Sequence, residues 1–354
     1  MSRDFKVIVT GGAGFIGSCF IRLGIVENWF ARVINLDKLT YAGNLENVEL
    51  VSGDPRYRFV RADICDSAAV DALFIEERPD AIVHFAAESH VDRSILSPAP
   101  VLETNVRGTF TLLEAARTHG LSRFVHVSTD EVYGSIEAPA EADETFTLNP
   151  SSPYSASKAG SDLLALAYGK TYGTPVTVTR ASNNYGPYQF PEKLIPLMIT
   201  NALAGRKLPV YGDGLQVRDW LFVEDHCWAI ASVLAQGRTG ETYNIGGNRS
   251  LTNLEVIHRI LAATGRGPEL IETVTDRPGH DRRYALSSEK LMRETGWSPK
   301  VSFEDGLRST IDWYVSNAGW VERVRSGEYL NWYARNYERR PAELAGSAPR
   351  TDQG

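Results

Sequence analysis

The sequence predicts an α/β protein with a doubly wound parallel sheet and a smaller second α/β domain. Three observations carry that prediction. Short apolar runs alternate with helix-length segments through the first half of the chain. The runs are continuously apolar, as in strands covered by helices on both faces. After about Gly186 the pattern turns irregular and richer in Gly and Pro. At 354 residues the chain is long enough for two domains.

Strands are predicted at 5–10, 32–36, 58–61, 81–85, 123–128 and 175–179, with helical spacing at 16–27, 67–77, 101–119 and 154–172. Such alternation indicates βαβ units, and residues 1–185 are expected to form the first domain. Beyond a loop at 184–191, a helix is expected at 194–203 and a strand at 207–211, ended by Gly212-Asp213-Gly214. Residues 220–240 are expected to return to the first domain. Residues 186–219 and 241–340, with a strand at 242–245 and helices at 253–264 and 303–316, are expected to make the second domain and leave a cleft. The tail 341–354 is rich in Ala, Gly, Ser and Pro and is expected to be disordered.

Composition excludes some function classes. With 37 Lys+Arg against 44 Asp+Glu the net charge is −7, which argues against a duplex nucleic-acid binder. No stretch reaches the ~20 apolar residues of a membrane helix. Residues 1–6 lead straight into Val7-Ile8-Val9 without the apolar run of a signal peptide, so a cytoplasmic setting is the expectation. Cys19, Cys65 and Cys227 fit neither a disulfide framework nor a zinc site, and no metal is expected.

The segment 10–18, Thr-Gly-Gly-Ala-Gly-Phe-Ile-Gly-Ser, follows the first predicted strand and opens the first predicted helix. Gly12, Gly14 and Gly17 make a G-x-G-x-x-G pattern, and Gly11, Gly14 and Gly17 a G-x-x-G-x-x-G pattern. Glycine gives a tight turn, lets backbone N–H groups approach a pyrophosphate and allows close helix–strand packing. The helix N-terminus favours the anion. Asp37 stands 20 residues after Gly17 at the end of the second predicted strand, where a carboxylate meets adenosine ribose hydroxyls and repels a 2′-phosphate. The reading is a Rossmann-type site that selects NAD over NADP. Asp63 and Ala86-Ala87 stand at two further strand ends.

Tyr154 and Lys158 are four apart on one face of a predicted helix. An ammonium near a phenol lowers its pKa, as does the positive charge of oxidised nicotinamide, so Tyr154 is a candidate base for a hydroxyl proton. Thr129-Asp130-Glu131 ends the fifth predicted strand. Adjacent carboxylates can serve as acid and base if their surroundings push their pKa values apart; a turn with two solvated acids is the bland alternative.

With the glycine turn, Tyr154-x-x-x-Lys158 resembles the extended short-chain dehydrogenase/reductase superfamily. The run 127–134 (Val-Ser-Thr-Asp-Glu-Val-Tyr-Gly) narrows the resemblance to the dTDP-glucose 4,6-dehydratases, and it extends to about Arg339. Phe85-Ala-Ala-Glu-Ser-His-Val-Asp-Arg-Ser94, Ser182-Asn-Asn-Tyr-Gly-Pro-Tyr188, Pro191-Glu-Lys-Leu-Ile-Pro196, Arg218-Asp-Trp220, Tyr243-Asn-Ile-Gly-Gly247 and 276–284 support it.

The resemblance implies NAD contacts from Phe15, Ile16, Asp37, Lys38, Leu39, Thr40, Asp63, Ile64, Phe85, Ala86, Ala87, Glu88, Ser89, Thr104, Tyr154, Lys158 and Asn184. It implies substrate contacts from Ser89, Thr129, Asn183, Lys193, Leu194, Pro209, Val210, Tyr211, Arg218, Asn244, Asp276, Arg277, Pro278, Gly279 and His280. Arg218, a permanent forked donor, suits a diphosphate. The implied reaction is C4 oxidation, loss of water across C5 and C6, and hydride return to C6. Tyr154 is the first base, Glu131 removes the C5 proton, Asp130 protonates the leaving hydroxyl, and Thr129 binds the C4 oxygen.

A uridine or cytidine sugar nucleotide stays open as substrate. A 4-epimerase needs no carboxylate pair, and a non-catalytic binding protein needs neither Tyr154 nor Lys158. A homodimer through a four-helix bundle is expected, using Phe110, Leu112, Leu113 and Ala116 of one helix and Leu163, Leu164 and Ala167 of another.

Overall fold

The structure is a computed structural model, and it describes residues 5–325. The expected disordered tail, 341–354, lies outside the described residues. In chain order the main elements are β1 Lys6–Thr10, α1 Phe15–Val26, β2 Arg32–Asp37, β3 Tyr57–Arg61, α2 Ser67–Glu77, β4 Ala81–His84, α3 Val91–Leu96, α4 Ala99–Leu102, α5 Thr109–Thr118, β5 Arg123–Thr129, α6 Pro153–Tyr172 and β6 Val176–Ala181. There follow β7 Asn183–Tyr185, α7 Leu194–Leu203, β8 Leu208–Tyr211, β9 Val217–Phe222, α8 Val223–Gln236, β10 Thr242–Ile245, β11 Ser250–Thr252, α9 Asn253–Ala263, β12 Ile271–Val274, α10 Glu289–Thr295, α11 Phe303–Ser316 and α12 Ala318–Val324.

Seven strands form one parallel sheet in the order β10-β6-β5-β4-β1-β2-β3. The order reverses between β1 and β4, and in such sheets ligands bind beyond the carboxyl ends of the strands at that point. The central strands are buried on both faces, as their unbroken apolar runs require. One face packs on Phe20, Ile21 and Ile25 of α1 with Ile230 and Leu234 of α8. The other packs on Leu73 and Phe74 of α2, Leu112 and Leu113 of α5, and Ala165 of α6.

A smaller lobe has its own core around Ile195, Ile199, Ile257, Ile260, Leu307 and Ile311. It holds the three-stranded sheet β11-β9-β7 and the pair β12-β8. Two expectations are corrected here. Thr242–Ile245, assigned by sequence to the second domain, pairs in parallel with β6 and forms the seventh strand of the large sheet. Its four residues are all buried, and their backbone groups find partners on the edge of β6 that the smaller lobe does not offer. The return to the large sheet begins with α8, since Trp220 lies in β9 of the smaller one.

The single helix expected at 101–119 is three pieces, with a turn of π-helix, Glu103–Gly108, between α4 and α5. Wide turns of this kind recur at functional sites. Here the turn carries Thr104 and Asn105 toward the end of β4. The Asn105 carboxamide accepts from Glu88 N–H at 2.9 Å and donates to Glu88 C=O at 3.0 Å and Ser157 Oγ at 2.8 Å.

Candidate active site

The glycine turn is built by close approach. Gly11 has φ +69°, and a Cβ there would stand 2.7 Å from the Ala86 nitrogen. A Cβ on Gly17 would lie 2.4 Å from the Gly11 carbonyl. Gly14 caps α1 without any side chain, so the first N–H groups of the helix stay available to an anion. Asp37 accepts from Leu39 N–H at 2.8 Å and Ala13 N–H at 3.0 Å, which fixes its carboxylate beside the turn. Burial raises its pKa, and those two bonds work against the rise. Lys38 pairs with Asp63 at 3.1 Å.

These groups line a cavity of about 340 Å³. Gly11, Gly14, Phe15, Ile16, Gly17, Asp37, Lys38, Thr40, Asp63, Ile64, Phe85 through Ser89, Thr104 and Asn184 all border it. Leu39 is the expected cofactor residue that does not; its φ of +58° turns the chain after Asp37. His226 was missed by sequence reasoning. It is buried in the cavity wall and bonds Asn184 Oδ1 through Nδ1 at 2.9 Å, with its pKa held at about 3 by burial. A histidine inside an apolar helix gives no sequence signal.

The far end of the same cavity holds Thr129, Asp130, Glu131, Tyr154 and Lys158. Ser152 and Ser155 bond reciprocally to each other's backbone N–H, and Pro153 opens α6, which starts the helix immediately before Tyr154. Thr129 caps the short turn 130–133 by accepting from Glu131 N–H at 3.3 Å, and its hydroxyl also donates to Asp130 Oδ1 at 3.2 Å. Asp130 is buried, with Oδ2 lacking any hydrogen-bond partner among the described residues. Burial and the neighbouring Glu131 push its pKa well above the carboxylate range. Glu131 is raised by burial too, but the cations of Arg277, Lys193 and Arg218 oppose the rise. The pair is therefore split: Asp130 keeps a proton while Glu131 ionises more readily.

The expected lowering of the Tyr154 pKa by the Lys158 ammonium is corrected. Lys158 Nζ donates to the Val127 carbonyl at 2.8 Å, because a buried ammonium must find an acceptor. Burial lowers its pKa to about 8. Tyr154 is raised by burial and by Glu131, and the group that lowers it is the Thr129 hydroxyl.

A second cavity, about 140 Å³, adjoins the first through Glu131, Asn183, Glu192, Lys193, Leu194 and Trp220. Pro209, Val210, Tyr211, Arg218, Arg277 and His280 line it as expected. Arg218 lies over the Tyr284 ring at 4.1 Å and donates to Asp281 C=O at 2.9 Å. Asp276, Pro278 and Gly279 stand behind this wall, where Asp276 bonds His280 Nδ1 at 2.6 Å. Asn244 is a correction. It borders neither cavity, since Oδ1 accepts from the Tyr133 hydroxyl and Nδ2 donates to Ala142 C=O, both at 2.9 Å. Its strand is an edge strand of the large sheet, and these two bonds hold the fully buried side chain in the interior. His90, Asp92 and Tyr284 line the second cavity and were not expected there.

A family model described as GDP-mannose 4,6 dehydratase matches residues 8–310. A dTDP-glucose 4,6-dehydratase of Shigella flexneri is 52% identical over 95% of this chain and 99% of its own. The chain belongs to the dTDP-glucose 4,6-dehydratase family. Two solved members agree: that of Streptomyces venezuelae, with NAD and TDP bound, has a TM-score of 0.88 at 53% identity, covering 90% of this chain and 99% of its own. That of Bacillus anthracis, in complex with NAD, has a TM-score of 0.85 at 50% identity over the same shares. A UDP-glucose 4-epimerase of Thermus thermophilus shares the fold at a TM-score of 0.82 and 35% identity, covering 88% of this chain and 99% of its own. Fold alone thus does not separate dehydration from epimerisation. Among the described residues no helix is long and apolar enough to cross a membrane.

Proposed function

We propose that the chain is an NAD-dependent dehydratase, converting dTDP-glucose to dTDP-4-keto-6-deoxyglucose. The observation that carries this reading is the split carboxylate pair Asp130 and Glu131 in one cavity with Tyr154. The cleft beside them fits a dinucleotide: glycines pack where a Cβ would clash, an uncapped helix end faces the turn, and Asp37 is fixed at the strand end. Bound NAD supplies the hydride acceptor for C4, the donor for C6, and a ring cation that favours the Tyr154 phenolate.

The chain's own residues move the protons. Tyr154 accepts the C4 hydroxyl proton, and Thr129 hydrogen-bonds the oxygen left behind. The C4 carbonyl acidifies the C5 hydrogen, which the Glu131 carboxylate removes and gives back to C5 when C6 receives its hydride. Asp130, kept protonated by burial, gives its proton to the departing C6 hydroxyl. Lys158 supplies a buried positive charge in the same cavity wall, held by the Val127 carbonyl. Arg218, Arg277, Lys193 and His280 bind the nucleotide diphosphate and sugar.

Incubation with dTDP-glucose tests the reading: one water lost by mass is expected, whereas an unchanged mass with C4 inversion indicates an epimerase. Loss of water from UDP- or CDP-glucose at equal kcat/KM overturns the thymidine assignment. The reading also includes a cytoplasmic homodimer. Leu102, Phe110 and Leu163 are 55%, 45% and 58% exposed, and the first two border a shallow groove with Val106 and Leu164. This face supports a four-helix bundle with a second copy, whereas Leu112, Leu113 and Ala116 are spent on the sheet. A monomeric mass in solution at micromolar protein overturns it.

A further inference from the structure

The loop after β2 and the segment before α7 meet across the cofactor cleft. Thr40, Ala42 and Gly43 border the larger cavity from one side, and Gln189, Phe190 and Glu192 from the other. Between them stands Tyr41, whose hydroxyl donates to Glu192 Oε1 at 3.0 Å. Its ring meets Phe190 edge-on, with centroids 5.6 Å apart. Arg93, from α3, completes the junction: Nε donates to Glu192 Oε2 at 3.3 Å, and the guanidinium lies 3.7 Å over the Tyr41 ring. Three segments more than 50 residues apart in sequence thus converge on a Glu192 side chain that is only 2% exposed. A buried carboxylate is costly without such partners, so the contact is specified and not incidental.

We propose that Tyr41, Arg93 and Glu192 form a clamp that closes over bound NAD and retains it between the two redox steps. The inference rests on the dehydratase reading for its purpose. That reaction takes a hydride from C4 and returns it to C6, so the same cofactor molecule must stay in place throughout. Departure of reduced cofactor after the first step would strand an oxidised sugar. A dinucleotide lying between the glycine turn and Tyr154 passes beneath this bridge, and its exit requires the bridge to open. None of the three residues is needed for proton transfer. Their effect is read in cofactor lifetime, which the release rate reports separately from kcat.

The test compares the unmodified protein with Tyr41→Phe and Glu192→Gln, each checked for native circular dichroism. Release of bound NAD is followed after dilution into excess labelled NAD. Reduced cofactor escaping during turnover is trapped by a pyruvate-coupled lactate dehydrogenase. Losing a hydrogen bond to a charged acceptor is expected to speed NAD release about tenfold in either variant, and to make escaped NADH detectable. Release within about twofold of the unmodified rate in both variants, well below that expected effect, overturns the clamp. If one variant fails to fold, the other decides alone. Product formation by the unmodified protein is scored separately, so a failed substrate assignment is told apart from a failed clamp by the release rates.

Discussion

The two cavities share a wall but are made of different material. The cofactor cleft is made largely of backbone: glycines at the end of β1, an uncapped helix start, and strand ends brought side by side by the parallel sheet. The second cavity is made of side chains, with Arg218 from β9, Lys193 before α7, and Arg277 and His280 from a loop over 50 residues further on. A backbone site fails when a Cβ is added, while a side-chain site fails when one functional group is removed. Glu131 lies at the seam, with Asp130 and Tyr154 beside it in the first cavity, and cations of the second cavity oppose the rise in its pKa.

The largest effect is expected at that seam. Tyr154→Phe and Glu131→Gln should each lower kcat by about 10²–10⁴-fold. They should fail differently. Tyr154→Phe should abolish the reduced-nicotinamide absorbance that follows substrate addition. Glu131→Gln should leave that absorbance but stop exchange of the C5 hydrogen with deuterated solvent. Near-normal exchange in Glu131→Gln would show that Glu131 is not the C5 base.

Next come two substitutions that set one cavity against the other. Gly17→Ala puts a methyl group 2.4 Å from a backbone carbonyl that cannot swing away, so it should cost about 1–3 kcal/mol of stability and weaken NAD binding. Arg218→Met keeps bulk but removes the forked cation, and should weaken dTDP binding about tenfold to a hundredfold with NAD binding unchanged. Calorimetric titration with each ligand checks both. If Gly17→Ala weakens dTDP as much as NAD, the two cavities are not separable.

A smaller change is expected from Asp37→Ala, about tenfold in NAD affinity, with relaxed discrimination against NADP. Equal affinity of the unmodified protein for the two cofactors would remove Asp37 as the selector. The smallest effect is in the pH profile. Glu131 acts ionised and its pKa is raised, so activity should fall as pH drops through a value above the ordinary carboxylate range. Arg277→Gln removes a cation that opposes the rise, and should move this acidic limb to higher pH. The basic limb should lie near pH 8, where Lys158 loses its charge, and should not move with Arg277.

The sequence by itself determined the parallel sheet, the dinucleotide turn and the candidate reacting groups. Each of these depends on residues close together in the chain: continuous apolar runs, glycines at fixed spacing, Asp130 beside Glu131, and Tyr154 four residues from Lys158. Only the tertiary structure decided the rest. It placed Thr242–Ile245 in the large sheet and spent Asn244 in the interior, because strand pairing depends on which distant edge is open. It sent the Lys158 ammonium to the Val127 carbonyl and set Tyr41 against Glu192. It also split Asp130 from Glu131, two neighbours whose sequence offers no reason to titrate apart. Their difference comes from burial and from the cations of Lys193, Arg218 and Arg277, which are more than 60 residues away along the chain and meet them only on folding.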